Sequence, residues 1–243
     1  MSGRIRIGTS GWVYPHWRGP FYPEDLAPAA WLDFYARRFD SVEINNTFYR
    51  LPSVTTLRDW RERVPSDFRF AVKASRYITH MKKLKDPKAS VSSLFERIEV
   101  LGDRVGPVLF QMPPNWRFDG DRLDRFLREL SGDYRYAFEF RDHSWLEDRT
   151  FALLSRHRAA LCIYELDGFL SPKQLTTDFV YIRLHGPGAA YEGSYDVQTL
   201  AGWAGAISSW CGHGHDVWCY FDNDQDGFAA LDAARLHAML TPE

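Results

Sequence analysis

The chain reads as α/β, a single (β/α)8 barrel running over residues 1–243, and three observations carry that reading. Its 243 residues match the roughly 250 that such a barrel needs. Short β-rich runs recur along it, with apolar residues at helical spacing between most of them. Within the runs, side chains alternate between an apolar face and one that turns polar toward the C-terminal end. An open doubly wound sheet is the structural alternative. No linker, repeat or low-complexity tract marks a second domain.

The β runs lie near 4–9, 41–46, 68–74, 107–111, 135–141, 160–164, 178–185 and 216–222. Segment 87–101 predicts a helix through Val91, Leu94, Phe95, Ile98 and Leu101, with Pro87 in its first turn and Gly102 past its end. Segment 121–131 repeats the form with Leu123, Phe126, Leu127 and Leu130, then Gly132. Ser144 and Glu147 have capping-box spacing ahead of a helix carrying Leu153 and Leu154. Segment 197–210 offers Leu200, Trp203, Ile207 and Trp210 before Gly212. The weak unit is 165–177, where Pro172 interrupts a stretch too short for a full helix.

Composition narrows the function classes. Hydrophobic residues make up 45% and charged residues 26%, the balance of a folded domain with a sizeable core. The formal net charge of −2 excludes a global polycation. Cys162, Cys211 and Cys219 show no CxxC spacing, and the start runs directly into Arg4-Ile5-Arg6-Ile7 without an apolar leader. The expectation is a reduced, cytoplasmic protein without membrane partners.

Strand alternation carries the site. Tyr136, Phe138 and Phe140 share one face, and Ala137, Glu139 and Arg141 the other. Val180, Ile182 and Leu184 likewise oppose Tyr181, Arg183 and His185. The same reading separates Val42 and Ile44 from Glu43 and Asn45, and sets Phe70 and Val72 against Ala71 and Lys73. Val217, Cys219 and Phe221 oppose Trp218, Tyr220 and Asp222. If the polar faces point inward, Glu43, Lys73, Glu139, Arg141, Arg183 and Asp222 converge at the mouth of the barrel, the end where active sites of this architecture lie. Three acids and three bases can also form a structural ion-pair cluster. Buried charges are a poor source of stability, so function is the better reading.

Other features are weaker. Residues 73–88 hold six Lys or Arg and one acid, with Arg76, Tyr77 and His80 placed to meet phosphates or a base; a solvated loop reads the outer lysines equally well. Aromatics collect after strand ends, and Trp145 stands closest to Glu139 and Arg141. Asp222-Asn-Asp224-Gln-Asp226-Gly227 begins like a calcium loop, but its twelfth position is Ala233 and it follows a strand. Arginines beside His185, Glu139 and Asp222 argue against a metal there. No GxSxG, Walker or GxGxxG pattern occurs, and no cofactor is expected.

Ile7-Gly-Thr-Ser-Gly-Trp12, Glu43-Ile-Asn-Asn-Thr-Phe-Tyr49, Phe70-Ala-Val-Lys73, Gln111-Met-Pro-Pro114, Glu139-Phe-Arg141 with Ser144-Trp145, Tyr181-Ile-Arg183-Leu-His185-Gly186 and Tyr220-Phe-Asp-Asn-Asp224 carry a resemblance. Together, in order from about residue 4 to 240, they resemble the YecE-like family, a domain of unknown function (DUF seventy-two). The resemblance implies a TIM-type barrel and no established activity. It also implies likeness to apurinic-endonuclease and xylose-isomerase barrels, whose many metal-binding His and carboxylate residues this sequence lacks.

The functional expectation is a site for a small anionic or sugar-like ligand, with hydrolysis of a phosphoester or glycosidic bond as its chemistry. Glu43 and Glu139 are the expected acid and base, and His185 the proton shuttle. Asn45, Lys73, Arg76, Arg141, Trp145, Arg183, Tyr220 and Asp222 are the expected ligand contacts, Arg183 foremost as a fork for oxyanions. Two rivals remain: a module binding single-stranded nucleic acid, and a non-catalytic barrel acting through protein contacts.

Overall fold

The computed structural model describes residues 2–241. Its strands are β1 (Ile5–Thr9), β2 (Ser41–Ile44), β3 (Arg69–Lys73), β4 (Val105–Gln111), β5 (Tyr136–Glu139), β6 (Ala160–Leu166), β7 (Phe169–Leu170), β8 (Phe179–Leu184) and β9 (Asp216–Phe221). All but β7 are parallel, and they pair in the order β1-β9-β8-β6-β5-β4-β3-β2. A parallel bridge between Ser10 and Glu43 returns β2 to β1, with the Gly11 N–H donating to the Glu43 carbonyl at 2.8 Å. The eight parallel strands thus close as a TIM-type barrel, as the sequence predicts.

Helices α1 (Trp31–Ala36), α2 (Val54–Arg63), α3 (Pro87–Ile98), α4 (Gly120–Arg128), α5 (Asp148–Arg156), α6 (Val197–Gly212) and α7 (Phe228–Leu240) lie among the connections. Pro87 opens α3 as expected, and Asp196 caps α6 by accepting the Thr199 N–H at 2.7 Å. The expected capping box of α5 does not form. Ser144 instead donates to Asp142 at 2.7 Å and accepts the Phe118 N–H at 2.9 Å, tying two mouth loops together. No helix joins β6 to β8. Asp167 and Gly168, both at positive φ, turn the chain into the antiparallel β7, the backbone pattern of a two-residue hairpin.

The alternation separates two cores. Outward residues such as Val42, Phe70, Phe138, Ile182 and Phe221 pack against the helices. Inward ones, Ala71, Leu109, Ala137, Cys162, Tyr181 and Tyr220, fill the barrel as a second apolar cluster. Above that plug the strands end in polar side chains. No described helix is long and apolar enough to cross a membrane.

Candidate functional site

Arg183 occupies the centre of the mouth, fully buried. Alternation on β8 aims it inward one step above Tyr181, and its five N–H groups all meet acceptors. Nε reaches Glu43 at 3.1 and 3.2 Å; Nη2 reaches Glu43 Oε1 at 2.9 Å, Asp222 Oδ2 at 2.8 Å and Ser10 Oγ at 3.2 Å. Nη1 reaches Glu139 Oε2 at 3.0 Å and His185 Nε2 at 2.8 Å. Glu43 also accepts from Tyr181 at 2.6 Å and Ser10 at 2.5 Å, while Glu139 accepts from Arg141 Nε. Both glutamates are fully buried.

The protonation states follow from these contacts. Burial pushes Glu139 up, but Arg141 and then Arg183 more than reverse it, holding the carboxyl far below its usual range. Burial opposes the charge on Arg183, and Glu43, Glu139 and Asp222 raise its pKa well above normal. His185 receives guanidinium N–H groups at Nε2, from Arg183 at 2.8 Å and Arg141 at 3.0 Å. That nitrogen must accept, so the proton sits on Nδ1, which donates to the Glu165 carbonyl at 3.0 Å. Burial, with Arg183 beside it, keeps the imidazole neutral far below its ordinary pKa.

Two ionisable groups differ. Burial pushes Asp222 up to about 6, against the opposing pull of Arg183 and Lys73. Burial, followed by the charge of Arg183, lowers Lys73 to about 8. The Lys73 ammonium lies 4.6 Å from the centre of the Phe48 ring. Among the described residues it has no hydrogen-bond acceptor and no carboxylate within 4.0 Å. Arg141 is partly committed: Nε and Nη2 are used, its guanidinium lies 4.7 Å from the centre of the Tyr164 ring, and Nη1 meets no protein acceptor among the described residues. A cavity of about 550 Å³ opens beside it, lined also by Arg117, His143 and Arg149.

The expected residues therefore divide. Glu43, Lys73, Glu139, Arg141, Arg183, His185 and Asp222 do converge. Asn45 stands at the end of β2 with a buried Oδ1 lacking a partner, and Arg76 lies exposed on the rim. Trp145 is not a mouth residue. It is fully buried outside the barrel, stacked on Phe140 with ring centres 4.7 Å apart, and its N–H is taken by the Trp116 carbonyl at 2.5 Å. Proximity in sequence to Arg141 is misleading here, because the chain turns outward after β5. Tyr220 points inward but lies a layer too deep, its hydroxyl 2.6 Å from Ser41 Oγ. Sequence reasoning misses Ser10, Tyr181 and Tyr14 as residues of the site. The Tyr14 hydroxyl donates to the Ser10 carbonyl at 2.6 Å, and burial and then Asp222 raise its pKa. Continuing the β1 alternation from Arg6 and Gly8 one step past the strand finds Ser10.

A closed parallel barrel with a charged, hydrogen-bonded cluster at the C-terminal ends of its strands defines a TIM-type protein with a polar mouth. The family described as "Protein of unknown function DUF72" matches residues 6–243, and the chain belongs to it. It is 33% identical to UPF0759 protein YecE of Escherichia coli K12 over 56% of this chain and 48% of that protein, so the match spans about half of that relative's length. Identity to UPF0759 protein YunF of Bacillus subtilis 168 is 25%, over 98% of this chain and 95% of YunF. A crystal structure of a DUF72 family protein from Thermotoga maritima superposes with a TM-score of 0.89 at 28% identity, covering 98% of this chain and 99% of that one.

Proposed function

We propose that the mouth binds a small phosphorylated molecule and hydrolyses its phosphoester bond, with Lys73 and Arg141 meeting the phosphate and Asp222 transferring the proton. The observation that carries this reading is the division of labour among the cations. Arg183 has no donor left to offer, whereas Lys73 is held in the mouth against Phe48 with no hydrogen-bond acceptor or carboxylate among the described residues, a costly arrangement for a purely structural charge. Glu43 and Glu139 are both clamped by guanidinium groups, so the paired free carboxylates of a glycosidase are not supplied. Asp222 is held by Arg183 through Oδ2 alone and, with its pKa pushed up to about 6, remains as the acid. In the proposed step water attacks phosphorus, the bond to the leaving oxygen breaks, Asp222 protonates that oxygen, and the proton lost by the attacking water restores Asp222. Arg183 is a positioning residue, fixing three carboxylates at once.

The test combines calorimetry with inorganic phosphate and hydrolysis of p-nitrophenyl phosphate and bis-p-nitrophenyl phosphate. Lys73→Met is expected to stay folded and lose at least about tenfold in phosphate affinity, consistent with losing one charged contact. Asp222→Asn is expected to bind phosphate and to lose hydrolysis of an alkyl phosphate such as glycerol 2-phosphate, read as released inorganic phosphate, while p-nitrophenyl phosphate, whose leaving group needs no proton, is affected far less. Unchanged phosphate affinity in Lys73→Met refutes the reading.

A second reading, binding of single-stranded nucleic acid, is supported by the exposed rings of Tyr49 and Tyr77 on loops after β2 and β3, the latter beside Arg76. It requires oligothymidylate binding that weakens steeply with salt and drops in a Tyr49→Ala, Tyr77→Ala double variant.

A further inference from the structure

The opposite end of the barrel carries a cavity of about 610 Å³, a volume in the range of small-molecule sites. Four arginines line it, Arg4, Arg6, Arg69 and Arg135, together with Asp133, Asp216 and Trp218. They arrive there by the alternation that builds the mouth: Arg6 lies two inward steps below Ser10 on β1, and Trp218 two below Asp222 on β9. Arg69 opens β3, and Arg135 immediately precedes β5.

Two of these cations have acidic partners. Arg6 pairs with Asp40 at 2.9 Å, and Arg135 with Asp216 at 2.6 Å. The side chains of Arg4 and Arg69 reach no carboxylate within 4.0 Å among the described residues. Arg69 Nη1 donates only to the carbonyls of Ser66 and Phe68, at 3.0 and 2.9 Å. Burial lowers the pKa of Arg69, and Arg6, Arg104 and Arg4 lower it further against the opposing charge of Asp103. Arg6 is only 4% exposed and uses Nη1 alone, on the Asp40 carbonyl and carboxylate; its Nε and Nη2 donate to no described protein group. The Trp218 indole N–H, in the wall of the same cavity, is buried and also without an acceptor. The arginines thus outnumber the acids around a hollow whose wall holds unused donors.

We infer that this cavity is a second binding site, for a multiply charged phosphate-type oxyanion such as a di- or triphosphate group. Guanidinium forks at several heights suit consecutive phosphates, and an anion there relieves the mutual repulsion of the arginines. The site is independent of the chemistry at the mouth.

The experiment is calorimetric titration with inorganic phosphate, pyrophosphate and tripolyphosphate, on the wild type, Lys73→Met, Arg4→Gln and the Arg4→Gln, Arg69→Gln double variant. Affinity is expected to rise with phosphate number, and tripolyphosphate binding is expected to survive in Lys73→Met and to fall at least about tenfold in the double variant, as expected for losing charged hydrogen bonds. Arg4 is exposed, so Arg4→Gln alone keeps the test valid if the double variant does not fold; its expected loss is about threefold. Tripolyphosphate binding that is unchanged in both arginine variants, or abolished by Lys73→Met, overturns the inference. Affinity no greater than that for sulfate also overturns it, since charge screening then accounts for the effect.

Discussion

Arg183 and Lys73 are both inward-facing cations of the mouth, yet their environments demand opposite behaviour. Arg183 satisfies Glu43, Glu139 and Asp222 together, and only a planar fork with five donors can do so. Arg183→Met leaves three carboxylates without their counter-ion, and the expected loss is at least about 3–5 kcal/mol in urea unfolding. Arg183→Lys restores one charge but not the fork, and is expected to recover less than half of that loss. Near-complete recovery by lysine shows that charge alone holds the cluster. Lys73 has the reverse signature. Its folded pKa of about 8 lies below the roughly 10.4 of an unfolded lysine, so between those values the unfolded chain holds more protons. Stability conferred by this group therefore rises with pH across that window, and the penalty is fully present below pH 8. Against Lys73→Met, the wild type is expected to gain about 3 kcal/mol between pH 7.5 and 10.5. A stability difference that stays flat over that range removes the case for a partnerless buried ammonium. The convergence of these residues is legible in the sequence, because alternation assigns a face to each one. Who pairs with whom is not: the saturation of Arg183 depends on Ser10, Glu43, Glu139 and Asp222 arriving at the right heights from other strands.

At the scale of elements, the strands are the readable part because each carries its own period. Connections read less well wherever one short signal outweighs periodicity. Asp167-Gly168 is a two-residue hairpin signature, and it makes β7 where a crossover helix is normally found. The segment after β3 is the other case. A π-helical turn spans Tyr77–Met81, and Lys83, Leu84 and Asp86 follow at positive φ. Three left-handed non-glycine residues within four positions hold strain on the order of 1 kcal/mol each, beside the rim that bears Arg76 and Tyr77. Leu84 explains how the strain persists, since its side chain is buried to 2% exposure and anchors the turn. Lys83→Gly is expected to stabilise the protein by about 0.5–1 kcal/mol without altering far-ultraviolet dichroism. A destabilisation instead assigns a structural contact to the Lys83 side chain.

For the whole molecule, the decisive feature is a seam that joins residues distant from the outer helices' own patterns. Length, element count and polarity all point to a barrel, yet none reports closure, which rests on shape at the meeting of β1 and β2. Gly8 makes that meeting possible. A Cβ there would stand 2.1 Å from the Ser41 carbonyl oxygen and 2.8 Å from the Tyr35 hydroxyl. The contacts it would crowd are those that stitch the seam: the Tyr35 hydroxyl accepts the Thr9 N–H at 2.9 Å and donates to the Ser41 carbonyl at 3.2 Å, while Ser41 meets Tyr220, from the strand on the other side of β1, at 2.6 Å. Backbone on one side and a buried phenol on the other leave no flexible tip to yield. Gly8→Ala must therefore open the seam, moving Ser10 away from Glu43 and loosening the ion cluster above it. The expected loss exceeds about 3 kcal/mol in urea unfolding, at the severe end for a single methyl group. Gly202→Ala is the control: Gly202 lies exposed within α6, an added methyl there meets open space, and the variant is expected to gain up to about 1 kcal/mol from helix propensity. Because the seam and mouth share Glu43, near- and far-ultraviolet signals should shift to the same lower urea concentration in Gly8→Ala. Wild-type stability in that variant means that the β1–β2 contact is looser than a 2.1 Å approach allows, and that the mouth cluster holds without it.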